Sequence, residues 1–244
     1  MMPSALLLAL PLAVCSPAAG PLPALPVQAS LAGGAPATWS PPQATTPAAP
    51  ASRPAERNDV EAIFRAAATW PEFYAGAEAR RAIWERNWTQ GQVPADLLER
   101  ARATGGPWKI LAITEAACSD SVNTIPYLAL LAEALDSTEL RVVNSTLGRP
   151  WMEAHRSPDG RASTPTVLLL DEDWEIRGCW IEQPVGLQAF WLDVVARNAM
   201  AQEVGRKMAW YEEEAGRETL REFVEVMEAA GTDSPICPGL APAP

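Results

Sequence analysis

The chain has 244 residues and a formal net charge of −11, from 19 basic and 30 acidic side chains, with one histidine and four cysteines. That balance lacks the basic footprint of a DNA or RNA binder and disfavours an anionic membrane surface. A single histidine excludes a metal centre built on several, and the cysteines (Cys15, Cys118, Cys179, Cys237) match neither a zinc ribbon nor a paired CxxC, so no metal site and no cofactor is expected.

Half of the 24 prolines, 12, lie within the first 54 residues, which argues against one continuous fold. Ala5 to Val14 is a ten-residue apolar run, too short to span a bilayer and suited to the core of an export signal over residues 1–20. No Lys or Arg precedes it, and Pro11 interrupts it. Leu12-Ala13-Val14-Cys15 also looks like a lipoprotein processing box, although Val14 is bulkier than the small residue usual there. Simple secretion and a membrane tether through a lipidated Cys15 therefore both stay open. The expected location is periplasmic or extracellular, or cytoplasmic if the N-terminus is not a signal. Residues 21–56, rich in Ala and Pro, read as a disordered linker. Residues 57–231 read as the folded domain, long enough to bury a core, and 232–244 as a flexible tail.

Within the domain, Asp59–Ala68, Gly76–Trp88 and Ala95–Ala103 are predicted helices, with tryptophans 70, 84 and 88 packing them onto the rest of the domain. Trp108–Thr114 is a predicted strand. A polar turn, Glu115 to Asp120, leads into a helix over Ser121–Leu135. A second strand, Leu140–Asn144, precedes a short helix at 149–156 and a turn at Ser157-Pro158-Asp159-Gly160. Thr166–Leu170 is a buried strand and Trp174–Trp180 its antiparallel return. Gly186–Glu214 reads as one long helix with a bend at Gly205, and a last helix starts at Thr219. His155, on the short helix, reads as structural or surface-exposed. The order β-α-β-α-β-β followed by helices argues an α/β sandwich with a central mixed sheet, extra N-terminal helices and a C-terminal helical extension.

The sharpest local signal is Ile113 to Pro126, ITEAACSDSVNTIP. Cys118 lies just ahead of a helix, where unpaired backbone N–H groups and the positive helix end favour a thiolate. The stretch from Trp108 to about Trp180 resembles a thioredoxin-like domain. Within that superfamily it is similar to the bacterial branch with a Trp-Cys-Gly-Asp active-site segment and a C-terminal helical extension. Here that segment reads Ala117-Cys118-Ser119-Asp120-Ser121, with Glu115 as the upstream acid and Pro126 as the kinking helix proline. Ser163-Thr164-Pro165-Thr166 fits the turn before a buried strand, and Tyr211, Gly216-Arg217 and Thr219-Leu220 fit the extension. The resemblance implies a cis Pro165 facing Cys118, with Thr164 offering backbone hydrogen bonds to an extended thiol substrate.

The departures narrow the chemistry. Ser121 stands where thioredoxins carry the resolving cysteine, so dithiol exchange within the motif is excluded. Ala117 replaces the preceding tryptophan, Ser119 the glycine, and Ala112 the buried aspartate beneath the site. What survives is monothiol exchange. Cys118 is the nucleophile, Ser121 and the backbone near Ser119 and Asp120 steady the thiolate, and Ala117, Ser119, Asp120, Thr164 and Pro165 meet the partner. That partner is a disulfide- or thiol-containing protein or a small thiol. Asp120 opposes a second negative charge nearby, or caps the helix instead. Glu115 and Cys237 are accessory candidates, the latter as a distant resolver. The alternative is a catalytically inactive thioredoxin-fold module that binds peptide or protein partners beside Thr164 and Pro165.

Overall fold

The computed structural model describes residues 54–232 and 234–239. The expected export signal, Cys15, nearly all of the linker and the last five residues lie outside them. The described chain opens with α1 (Pro54–Ala66), a two-residue strand β1 (Ala68–Thr69), and helices α2 (Trp70–Gly76), α3 (Arg81–Gln90) and α4 (Ala95–Ala103). The central part holds β2 (Trp108–Ile113), α5 (Ser121–Glu133), β3 (Thr138–Val143), α6 (Arg149–Ala154), β4 (Thr166–Leu170) and β5 (Ile176–Ile181). Helices α7 (Val185–Ala196), α8 (Met200–Glu214) and α9 (Arg217–Gly231) complete it.

The five strands form one mixed sheet in the order β1-β3-β2-β4-β5. β2 runs parallel to β3, with Ile110 opposite Leu140, and antiparallel to β4, with Leu111 opposite Leu168. A helix crossover joins the parallel pair, and a hairpin joins β4 to β5. Side chains alternate across a strand, and here both faces are covered. Ile110, Ala112, Val167, Leu169 and Trp180 pack with residues of α3, α4, α5 and α9. Leu111, Ile113, Leu168, Leu170 and Ile181 pack with Val60 and Phe64 of α1 and Trp151 and Met152 of α6. Burial on both sides explains the apolar runs Ile110–Ile113 of β2 and Val167–Leu170 of β4.

Three boundaries differ from the sequence expectation, each for a local reason. The helix expected over Gly76–Trp88 starts only at Arg81, after a left-handed Arg80 (φ 57°), and a helix the sequence did not announce, α2, precedes it. Thr69 starts α2 with a reciprocal cap: its hydroxyl accepts from the Glu72 N–H, while Glu72 Oε2 accepts from the Thr69 N–H at 2.8 Å. The long stretch Gly186–Glu214 breaks at 197–199 rather than at Gly205. Asn198 takes the left-handed conformation there (φ 54°), which an asparagine tolerates better than most residues, whereas Gly205 sits inside α8 with open space beside it. Residues 234–239, expected as part of a flexible tail, are instead tied to β5: Cys179 N–H donates to Ile236 O at 3.1 Å and Ile181 N–H to Pro238 O at 3.1 Å. A disulfide between Cys179 and Cys237 fixes the same contact.

The aromatic packing of the N-terminal helices agrees with the expectation. Trp70 and Trp84 are buried, and Trp70 meets Trp88 edge-on with ring centroids 5.1 Å apart.

Candidate functional site

Cys118 sits in the turn between β2 and α5, where the parallel strands end. The turn is built from both sides. Cys118 N–H donates to Glu115 O at 3.0 Å, and Val122 N–H to Cys118 O at 3.1 Å. From the N-terminal helices, Trp84 Nε1–H reaches Ala116 O at 3.0 Å and Arg80 Nε–H reaches Ala117 O at 2.7 Å. The extra helices therefore hold the cysteine-bearing loop as well as thickening the core.

Helix α5 contains Pro126, which has no N–H to give to Val122 O, four residues back. A buried carbonyl left in that position is costly. Asn87 of α3 replaces the missing donor, its Nδ2–H reaching Val122 O at 2.8 Å and Asn123 Oδ1 at 3.1 Å. Asn123 in turn donates to Ser119 O at 2.8 Å. The kink proline was legible in the sequence; its partner was not, because Asn87 is remote in the chain.

Cys118 is fully buried, and its Sγ–H donates to Thr164 O at 3.2 Å. The Thr164–Pro165 peptide bond is cis. Cys118, Thr164 and Pro165, chosen from separate segments, are thus brought together. The carbonyl bonded to the sulfur accepts only from the S–H form, so the arrangement seen holds a thiol rather than a thiolate.

The other chosen residues divide. Asp120 occupies the N-cap position of α5 without making a side-chain cap. Its carboxylate is 3% exposed and is gripped by α8: Lys207 Nζ lies 2.7 Å from Oδ1 and 2.9 Å from Oδ2, and Tyr211 O–H donates to Oδ1 at 2.7 Å. The capping role is corrected, and a direct substrate contact by this carboxylate is blocked in the arrangement seen. Ser121 is buried, and its hydroxyl makes no hydrogen bond among the described residues. Ala117 and Ser119 are partly exposed. Glu115, a candidate accessory acid, is committed elsewhere: its Oε1 accepts from Ser145 N–H at 2.8 Å and Ser145 O–H at 2.5 Å. Cys237, the candidate resolver, is bonded to Cys179 and in that state has no thiol to attack with. Ala112 is fully buried in the apolar layer.

Sequence reasoning missed the buried polar groups that surround this turn. Glu182, directly after β5, is 3% exposed, and its N–H donates to Pro165 O at 2.7 Å. Cys118 and Glu182 are therefore held by consecutive carbonyls of one turn. Glu182 adopts a left-handed φ of 63°, uncommon for a residue with a side chain. Arg161 clamps its carboxylate at 2.9 and 3.1 Å. Burial raises its pKa above the ordinary carboxylate value, the charge of Asp120 adds to the rise, and Arg161 and Lys207 oppose it. Burial also pushes the Tyr211 phenol well above its usual value, reinforced by Asp120 and, more weakly, by Cys118. Lys207 Nζ further lies 4.3 Å from the Trp191 ring centroid, which locks α7 into the same cluster. Only the lone Lys in an acidic helix could have signalled this pairing from sequence.

His155, Cys179 and Cys237 bring potential metal-ligating atoms within 4.8 Å of one another. The two sulfurs are bonded together, so this set offers no thiolate as it stands. His155 is buried, with Nδ1 2.8 Å from Trp151 O.

A family model described as thioredoxin matches residues 67–200, more than half of the chain. The chain belongs to the thioredoxin family. The match spans the sheet from just before β1 through β5 and runs into the first residue of α8, so Cys118, Pro165 and Glu182 fall inside it while Lys207 and Tyr211 fall outside. Among solved structures, this thioredoxin-family chain is similar to an HIV epitope scaffold, at 16% identity and a TM-score of 0.55 over 69% of this chain and 97% of that one. It is also similar to a protein of unknown function from Pseudomonas aeruginosa, at 17% identity and a TM-score of 0.55 over 73% and 99%. At these identities the likeness is one of fold. No curated protein matches.

Proposed function

We propose that this thioredoxin-family protein performs thiol–disulfide exchange through Cys118 alone. The observation that supports the reading best is the Cys118 sulfur at the start of α5, hydrogen-bonded to the carbonyl of the residue before Pro165. An extended thiol or disulfide partner would take that carbonyl for its own backbone N–H, leaving the sulfur to react. The Cys118 thiolate attacks one sulfur of a partner disulfide. That S–S bond breaks, a mixed disulfide forms at Cys118, and the second sulfur leaves as a thiolate. A small thiol then attacks the mixed disulfide and regenerates Cys118, because Ser121 cannot. The thiol proton passes to solvent when the site opens.

Because Cys118 is buried, exchange requires the turn that carries it to open. The Cys179–Cys237 disulfide is consistent with an oxidising compartment, and with it an exported protein, secreted or tethered through Cys15.

Incubating the protein with glutathione disulfide tests the reading. One glutathionyl group per chain, mapped to Cys118, removed by added thiol and absent from Cys118→Ser, is the expected result. Retained adduct in Cys118→Ser would refute the assigned sulfur. Absence of any adduct, together with binding of an extended peptide that Pro165→Ala weakens, would favour the non-catalytic module instead.

A further inference from the structure

The buried groups around Cys118 carry a charge problem that the local sequence cannot solve. Asp120 places a carboxylate two residues from the sulfur, and Glu182 hangs from the neighbouring carbonyl of the same turn. Both are almost fully buried, where like charges repel strongly and an uncompensated ion is expensive. Arg161 pairs Glu182, and Asp159 shares that arginine at 2.5 Å. Asp120 has one cationic partner among the described residues, Lys207, whose ammonium is itself 3% exposed on its side chain. Tyr211 adds a neutral donor to the same oxygen, and Trp191 supplies a ring face at 4.3 Å. The other charged groups at the turn are Arg80 of the N-terminal helices, whose Nε–H is held by Ala117 O at 2.7 Å, and Glu115, whose carboxylate is held by Ser145.

We propose that Lys207, contributed by the C-terminal extension, is the positioning residue that permits Cys118 to ionise, by neutralising Asp120. The inference rests on the exchange reading above but concerns a different residue on a different element. Without the ammonium, a Cys118 thiolate would form beside an unpaired buried carboxylate. With it, the Asp120–Lys207 pair is neutral, and the thiolate forms without an uncompensated carboxylate two residues away. The extension then carries the charge on which the site's chemistry depends. The segment matched by the family model ends before Lys207.

The rate of Cys118 alkylation by iodoacetamide, followed across pH on the oxidised protein, tests the proposal. The midpoint of the profile reads the charge around the sulfur, and the plateau reads how often the site opens. Lys207→Met should move the midpoint upward by about one unit or more, as expected for loss of a close opposite charge. Asp120→Asn combined with Lys207→Met should bring it back towards the wild-type value, since neither charge is then present. The double variant also leaves no buried ion without a partner and so preserves folding if Lys207→Met alone does not. An unchanged midpoint in Lys207→Met, or a double variant shifted upward as far as the single one, would overturn the proposal while leaving exchange at Cys118 intact. Wild-type protein that is never alkylated while folded would instead defeat the exchange reading itself.

Discussion

At the scale of single residues, the turn around Cys118 depends on side chains that repair one another's deficits. Pro126 removes a donor from α5, and Asn87 restores it at Val122 O while holding Asn123. Asn87→Ala should therefore cost about 1–3 kcal/mol, the penalty for a buried carbonyl left without its partner. Denaturant unfolding at constant m-value would measure it. Asn87→Asp should not rescue the loss, because a carboxylate has no N–H to give. The same scale shows what the sequence displayed and what it concealed. Cys118 was legible from its own position ahead of a helix, and Thr164 and Pro165 from the resemblance to thioredoxins, which implies a cis proline opposite that cysteine. Asn87, Glu182 and Lys207 were not. Their roles arise only from contacts between distant segments, and each alone reads as an ordinary polar residue on a helix or loop.

At the scale of elements, sheet and helix types were set by periodicity, and the errors fell at breaks. The start of α3 behind the left-handed Arg80 and the left-handed Asn198 between α7 and α8 lie where a single backbone conformation outweighs helical propensity, and the Thr69 cap sets the start of α2. The two-residue β1 was too short to carry an alternating pattern. Helix α9, by contrast, buries a charge that its amphipathic pattern does not announce. Glu222 is 3% exposed, and its carboxylate accepts from Trp180 Nε1–H at 2.8 Å and Val185 N–H at 2.9 Å. Burial outweighs these bonds and raises its pKa from 4.5 to about 7. Because the folded protein holds this proton more tightly than the unfolded chain, the associated stability is complete below about pH 4.5 and is lost as pH rises through about 7. Thermal unfolding across this window should show the decline, and Glu222→Gln should flatten it. An equal slope in the variant would assign the dependence to other groups. Gly216, at the start of α9, has a φ of 79°, and an added Cβ would lie 2.2 Å from the Tyr127 ring. Gly216→Ala should accordingly destabilise the junction between α8 and α9.

At the scale of the whole molecule, one disulfide joins the C-terminal segment to β5 across a sequence separation of 58 residues. Loop-closure entropy puts its stabilising effect at about 4 kcal/mol. Cys179→Ser with Cys237→Ser should lower the denaturant midpoint to match, yet leave glutathionylation at Cys118 in place if the two thiol systems are independent. The overall architecture was readable because both sheet faces are covered by helices, which leaves apolar runs at Ile110–Ile113 and Val167–Leu170 separated by amphipathic stretches. The docking of α8 onto the Asp120 turn was not, since it is made by the Lys207 and Tyr211 contacts to Asp120 rather than by any pattern along the chain.

The central claim is that Cys118 is a reactive sulfur served by the Thr164–Pro165 turn. It is tested most directly by peptide mapping of the folded, oxidised protein after exposure to glutathione disulfide. The account predicts a single adduct at Cys118, reversible by thiol. A folded protein whose Cys118 remains unmodified throughout, or an adduct formed only at Cys179 or Cys237, would contradict it.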